Sequence, residues 1–275
     1  MFDIKNNNYI GNIGVKGQGP NEFLQPFSLV YSSDGRLLSY DVGDYSLKSI
    51  DIDSLINGTI SYNKILDSNS MSHLTVFPVE ESNYIGFGIY SENMFKLIDS
   101  NGNIIRSFMN YPIENSTMDH RNIAMAYQGA LAINNDKSKL VYASMYGTIL
   151  CIYDISKNLI DEEFSLVLDY PHFSPRNERG STSSPLTKDA ISAFRDIYVT
   201  DKYIYSLYSG KNISEFKQNA FEAQSIYIFD WTGKPIIRYL LDVRVNNIAV
   251  DPNNQKIYAL SNLPESTLVE FEIDL

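Results

Sequence analysis

Leu97-Ile98-Asp99-Ser100-Asn101-Gly102-Asn103 ends an apolar strand on an aspartate and then places a glycine where a tight turn needs positive φ. The strands flanking such a turn must pair antiparallel. The strand end recurs at Met1-Phe2-Asp3, Ser49-Ile50-Asp51, Ile152-Tyr153-Asp154, Ile228-Phe229-Asp230 and Glu272-Ile273-Asp274, and Asp230-Trp231-Thr232-Gly233-Lys234 repeats the turn chemistry. The aspartates are separated by 48, 48, 55, 76 and 44 residues, close to the roughly 40–50-residue period of propeller blades once loop insertions are allowed.

Two further strands precede the phrase. Ser28 to Tyr31, the turn Ser32-Ser33-Asp34-Gly35 and Arg36 to Asp41 supply them near the start. Asn247 to Asp251, Pro252-Asn253-Asn254 and Gln255 to Ser261 supply them near the end. Four strands per unit follow. Five units show this inner pair, from about Ser28, His73, Met125, Phe194 and Asn246, whereas the Asp3 copy begins at its third strand. The fold class expected is therefore all-β: a β-propeller of four-stranded antiparallel blades in one domain over residues 1–275, six-bladed with an incomplete first blade. The alternative is a five-bladed ring in which the strand from Tyr9 to Ile13 completes the C-terminal blade as its outermost strand. Helical periodicity is scarce, and only Ser192 to Ile197 and Ile213 to Phe221 offer a short helical alternative.

The 275 residues, 44% hydrophobic, suffice for a core without disulfides, and the net charge of −11 with no run of Lys or Arg argues against nucleic acid as a partner. Cys151 lies in the apolar run Thr148-Ile149-Leu150-Cys151-Ile152-Tyr153 and reads as a small buried thiol. No apolar stretch is long enough for a transmembrane segment, and the first ten residues lack the features of a secretion signal.

Gly14-Val15-Lys16-Gly17-Gln18-Gly19-Pro20-Asn21-Glu22-Phe23, followed by Pro26, resembles the blade junction of NHL-like propellers. More narrowly it resembles the six-bladed TolB-like β-propeller proteins of Bacteroides-type bacteria, many of them lipoproteins. Met125-Ala126-Tyr127-Gln128-Gly129 and the stretch Asp196 to Gly210 extend the resemblance across most of the chain. It implies a cell-envelope location, periplasmic or on the surface, with a lipid anchor and the rest of a first blade encoded before Met1. It supplies no catalytic residues.

Motifs of chemistry are weak. Glycines 14, 17 and 19 lack the strand before and helix after that a dinucleotide loop requires, so they read as an inter-blade turn. Ser61-Tyr62-Asn63-Lys64 and Ser214-Glu215-Phe216-Lys217 fit Ser-x-x-Lys without its partner motifs, and no Gly-x-Ser-x-Gly elbow is present. His73, His120 and His172 have no second ligand at zinc-site spacing, and Asp99 to Asn103 lacks the distal ligands of a calcium loop. No cofactor is expected, although blades can gather distant residues around an axis, which keeps a divalent metal open.

Two long insertions, Asn110 to Asn122 and Asp169 to Pro185, interrupt the repeat, and loops on a rigid scaffold commonly carry recognition groups. They concentrate His120, Arg121, His172, Arg176 and Arg179 beside Tyr111, Tyr127, Tyr170 and Phe173. Arginine forks pair with carboxylates and aromatics stack on sugars. The candidate ligand-binding residues are therefore His120, Arg121, Tyr127, Tyr170, His172, Arg176 and Arg179; solvated loops with incidental charge are the competing account. Two functions fit: a non-catalytic binding or scaffold module recognising a glycan, peptide or protein partner, and a propeller-type lyase or hydrolase, metal-dependent in one form. The absence of an acid–base or nucleophile constellation favours the first.

Overall fold

The structure, a computed structural model, describes residues 2–6, 8–19, 22–32, 35–57, 61–113, 118–178, 180–262 and 265–275. They form two compact units, Met1–Tyr90 with Met94–Phe108, and Ser91–Asn93 with Met109–Leu275.

The first unit opens with a two-stranded ribbon of β1 (Phe2–Asp3) and β2 (Asn8–Tyr9). Its first full sheet is β3 (Pro26–Tyr31), β4 (Leu37–Asp41), β5 (Ser46–Ile50) and β6 (Tyr62–Asp67), with one helical turn α1 (Ile52–Ile56) between β5 and β6. Its second is β7 (His73–Pro78), β8 (Tyr84–Gly88), β9 (Phe95–Ile98) and β10 (Ile104–Phe108). The second unit carries the helix α2 (His120–Ala126) and the sheet β11 (Gly129–Ile133), β12 (Lys139–Ser144), β13 (Thr148–Asp154) and β14 (Asp161–Asp169). A small hairpin follows, β15 (Arg176–Glu178) with β16 (Ser181–Ser183). The next sheet is β17 (Ile191–Val199), β18 (Tyr203–Asn212), β19 (Ala223–Asp230) and β20 (Pro235–Val245), with α3 (Ile213–Phe216) and a 3-10 turn, Lys217–Phe221, between β18 and β19. The last has three strands among the described residues, β21 (Asn247–Val250), β22 (Lys256–Ser261) and β23 (Thr267–Glu272).

Strands pair in chain order within every sheet, as hairpin after hairpin. The middle strands β12 and β13 are the most deeply buried: Leu140 to Ala143 and Ile149 to Tyr153 are inaccessible to solvent. Strands covered on both faces read as continuous apolar runs. Within each unit, cores lie between consecutive sheets. Leu38, Tyr40, Leu47 and Leu66 meet Val76 and Ile98 in the first unit; Val141, Leu150 and Ile152 meet Phe194, Ile197 and Ile204 in the second.

The recurring aspartate has a common task. Asp3, Asp51, Asp99, Asp154 and Asp230 each accept a hydrogen bond from the backbone N–H two residues on, at 2.8–3.1 Å. The side chain thereby mimics a turn and ends the strand. These local bonds hold all five carboxyls below the ordinary aspartate range. Gly102 sits at φ +82° in the turn after Asp99, as its position there requires.

Several expectations change. The strand at Tyr9 pairs with Phe2–Asp3, where Asp3 accepts from Lys5 N and Asn6 N and closes a local hairpin. Five blade sheets are present among the described residues, and the ribbon of β1 and β2 corresponds to the outer pair expected at Asp3. Ser192 to Ile197 is strand, where cross-strand pairing overrides local propensity, while Ile213 to Phe221 is helical. His73 lies on a strand, as expected, and His120 opens a helix rather than lying in a loop.

Candidate functional site

Because the strands alternate direction, the segments before β11, between β12 and β13, between β14 and β17, and between β18 and β19 leave their own sheets at the end where the innermost strand begins. Both insertions of the sequence are among them.

Asp119 caps α2, accepting from Arg121 N at 2.9 Å. The helix turns Asn122, Ile123, Ala124 and Ala126 inward. Asn122 is wholly buried; its Nδ2 donates to the Ser183 carbonyl at 2.7 Å, while Ser184 Oγ donates to the Asn122 carbonyl at 2.7 Å. The first insertion is thus fastened to strand β16 of the second. Arg176 stands on the partner strand, opposite Ser183. Arg121, His172 and Arg176 are exposed, and His120 is half-buried with its Nδ1 inaccessible and unpartnered. His172 Nε2 lies 3.1 Å from Asp169 Oδ1. Tyr170 is half-buried. Tyr127, expected to face a ligand, is instead interior: its ring packs edge-on to the buried Tyr111 at 5.5 Å, and its carbonyl accepts from Tyr142 OH at 2.7 Å. Arg179 lies outside the described residues.

The same end of the fourth blade sheet carries a group that sequence spacing did not reveal. Arg195 Nε donates to the Phe221 carbonyl at 3.1 Å. Lys211 Nζ donates to the carbonyls of Asn219 and Glu222 at 3.1 and 2.9 Å. Arg244 pairs with the Glu222 carboxylate at 3.3 Å. Burial pulls Arg195 below its usual range, and burial with the nearby Arg244 does the same to Lys211. Asp196 accepts from Ile248 N at 2.8 Å and Ile197 N at 2.9 Å, yet burial outweighs these bonds and raises its carboxyl to about 6. These residues come from β17, β18, β20 and the segment before β19, so only the strand register assembles them; no local pattern could have found them.

The glycine phrase behaves as a junction. Gly19 N donates to Glu22 Oε2 at 2.7 Å, and a Cβ on Gly17 would fall 1.9 Å from that oxygen, so the loop closes on its own carboxylate. Asp41 takes backbone N–H groups from Leu24, Gln25 and Gly43 and the ammonium of the buried Lys48, at 2.8–2.9 Å. A cleft of about 350 Å³ beside this loop is lined by Glu22, Asp44, Lys48, Tyr62 and Lys64 among others, and both lysines already pair with Asp44. Among the described residues no three His, Cys, Asp or Glu side chains gather as metal ligands, and no helix is long and apolar enough to cross a membrane.

Successive four-stranded antiparallel sheets packed through buried middle strands define an all-β propeller. The model of the TolB-like 6-blade propeller-like family matches residues 1–253, and the chain belongs to that family. Among solved structures it is similar to a Bacteroides fragilis protein described as a candidate exported protein, at 14% identity and a TM-score of 0.55, covering 95% of this chain and 73% of that one. Citrobacter koseri AztD is more distant, at 12% identity and a TM-score of 0.45, covering 90% of this chain and 58% of that one. No curated protein sequence matches.

Proposed function

We propose that this protein is a non-catalytic binding propeller of the cell envelope that recognises a polar glycan, peptide or protein partner through the joined insertions of its second unit. The observation that carries the reading is the buried Asn122, which ties α2 to strand β16 of the hairpin bearing Arg176. A surface fixed before binding loses less entropy on complex formation, and exposed Arg121, Arg176 and His172 suit a ligand with acceptor groups. The likeness to a candidate exported protein supports the envelope location. A second reading, a propeller-type lyase or hydrolase, draws on Asp196, whose carboxyl at about 6 would suit proton transfer near neutral pH.

A thermal-shift screen against oligosaccharides, cell-wall fragments and acidic peptides tests the first reading. A ligand at a hundred times its Kd adds about 2.7 kcal/mol. The stabilisation should disappear in the Arg121→Ala, Arg176→Ala double variant and weaken in Asn122→Ala. A ligand that binds both variants as tightly as the parent refutes the assignment, and turnover abolished by Asp196→Asn would establish the second reading.

A further inference from the structure

We propose that Arg195, Lys211 and Ser192 form a site for one small anionic group, a carboxylate or phosphate, covered here by residues 213–222. The cover is the segment between β18 and β19, and its carbonyls take the cations' hydrogen bonds. Phe221 O is held by Arg195 Nε, while Asn219 O and Glu222 O are held by Lys211 Nζ. The carbonyls held by the guanidinium and the ammonium thus belong to consecutive residues, Phe221 and Glu222. Ser192 is the cross-strand partner of Lys211, and Arg195 lies three residues on in the same strand, within the second of two register shifts.

The covered arrangement leaves donors unmatched. Arg195 Nη1 and Ser192 Oγ are inaccessible and have no hydrogen-bond partner. A buried donor without an acceptor is costly, so native structures rarely keep one without a ligand, ion or water to explain it. Charge points the same way. Arg244 is answered by Glu222, and Asp196 directs its oxygens to the N–H groups of Ile197 and Ile248. Arg195, which lies over the Phe221 ring, and Lys211 are reached electrostatically by Asp196 and Glu222, but among the described residues neither cation forms an ion pair. A fork of guanidinium donors, an ammonium and a hydroxyl present donors almost exclusively, which selects an anion over a cation or a neutral carbonyl compound.

The carbonyls of 219–222 act as stand-ins. An anionic oxygen makes stronger, charge-assisted bonds with the same donors, so a ligand can displace them. The cover also holds Lys217 at φ 53°, ψ −128°, a conformation that favours glycine, so releasing it relieves strain.

The test uses the full chain with inorganic phosphate in one arm and succinate in the other, followed by calorimetry and by hydrogen exchange of the 213–222 amides, with sodium chloride at equal ionic strength as control. Saturable binding in either arm, weakened at least tenfold by Arg195→Gln and by Lys211→Gln and accompanied by faster exchange of those amides, is the expected result. The stronger arm identifies the ligand chemistry. Should Arg195→Gln fail to fold, Ser192→Ala serves: removing an orphaned hydroxyl should stabilise the free protein while weakening anion binding. Absence of saturable binding in both arms, equal affinity in the variants that fold, or unchanged or slower exchange of residues 213–222 on binding overturns the proposal. None of these variants touches Arg121, His172 or Arg176, so this site and the insertion surface fail or stand separately.

Discussion

His73 offers the sharpest test of the core. It is 1% exposed on β7, with Nδ1 2.5 Å from Tyr90 OH, its ring edge-on to Tyr40 and Tyr90, and Nε2 unpartnered. Burial, aided by the nearby Lys96 charge, pushes its pKa from 6.5 down to about 4. Between those values the unfolded chain holds a proton that the folded chain refuses, so stability is complete above about pH 6.5 and falls as pH drops towards 4. At about pH 5 the unfolded imidazole is nearly all protonated and the folded one about one-tenth so, a linkage loss of about 2 kcal/mol relative to pH 7.5. For a chain of this size that corresponds to roughly 4–8 °C in Tm. The assay is urea unfolding of the parent and His73→Gln at both pH values. The variant lacks the titrating group, so its own loss across that interval should be smaller by about 2 kcal/mol. Equal losses in the two proteins would refute the buried neutral imidazole.

Three further outcomes are expected. Asp41→Asn should destabilise by on the order of 3 kcal/mol in chemical denaturation, because an amide cannot accept all four donors and leaves the buried Lys48 with Asp44 alone; retention of parental stability would contradict this. Gly102→Ala should cost more than about 1 kcal/mol by the same measurement, since a Cβ there falls 1.9 Å from the Asp67 carbonyl at φ +82°; a neutral result would exclude that turn geometry. Cys151, fully buried with its thiol pKa raised by burial, should react with a thiol reagent only after unfolding, and native-state labelling at the rate of a free thiol would place it elsewhere.

The blades were legible because their signals are local. An aspartate that bonds the N–H two residues ahead marks a strand end within a few positions, and the apolar run Thr148 to Tyr153 announces a buried strand by composition. The candidate site was legible in part. The insertions stood out by interrupting the period, and Arg121, His172 and Arg176 are exposed upon them. Tyr127 could not be placed, because a tyrosine beside a loop reads alike whether its ring meets solvent or Tyr111.

The sequence by itself determined the strand-and-turn repeat, the all-β class and the resemblance to the TolB-like family, since each rests on interactions spanning two to five residues or on their periodic return. Only the tertiary structure decided what the insertions do to one another. Asn122 and Ser183 are 61 residues apart, and their bond exists because the third blade sheet returns its chain to the end from which it began. The clustering of Arg195, Lys211 and Arg244 is of the same kind. It depends on the register of β17, β18, β19 and β20, and cross-strand proximity at long separation leaves no trace in local spacing.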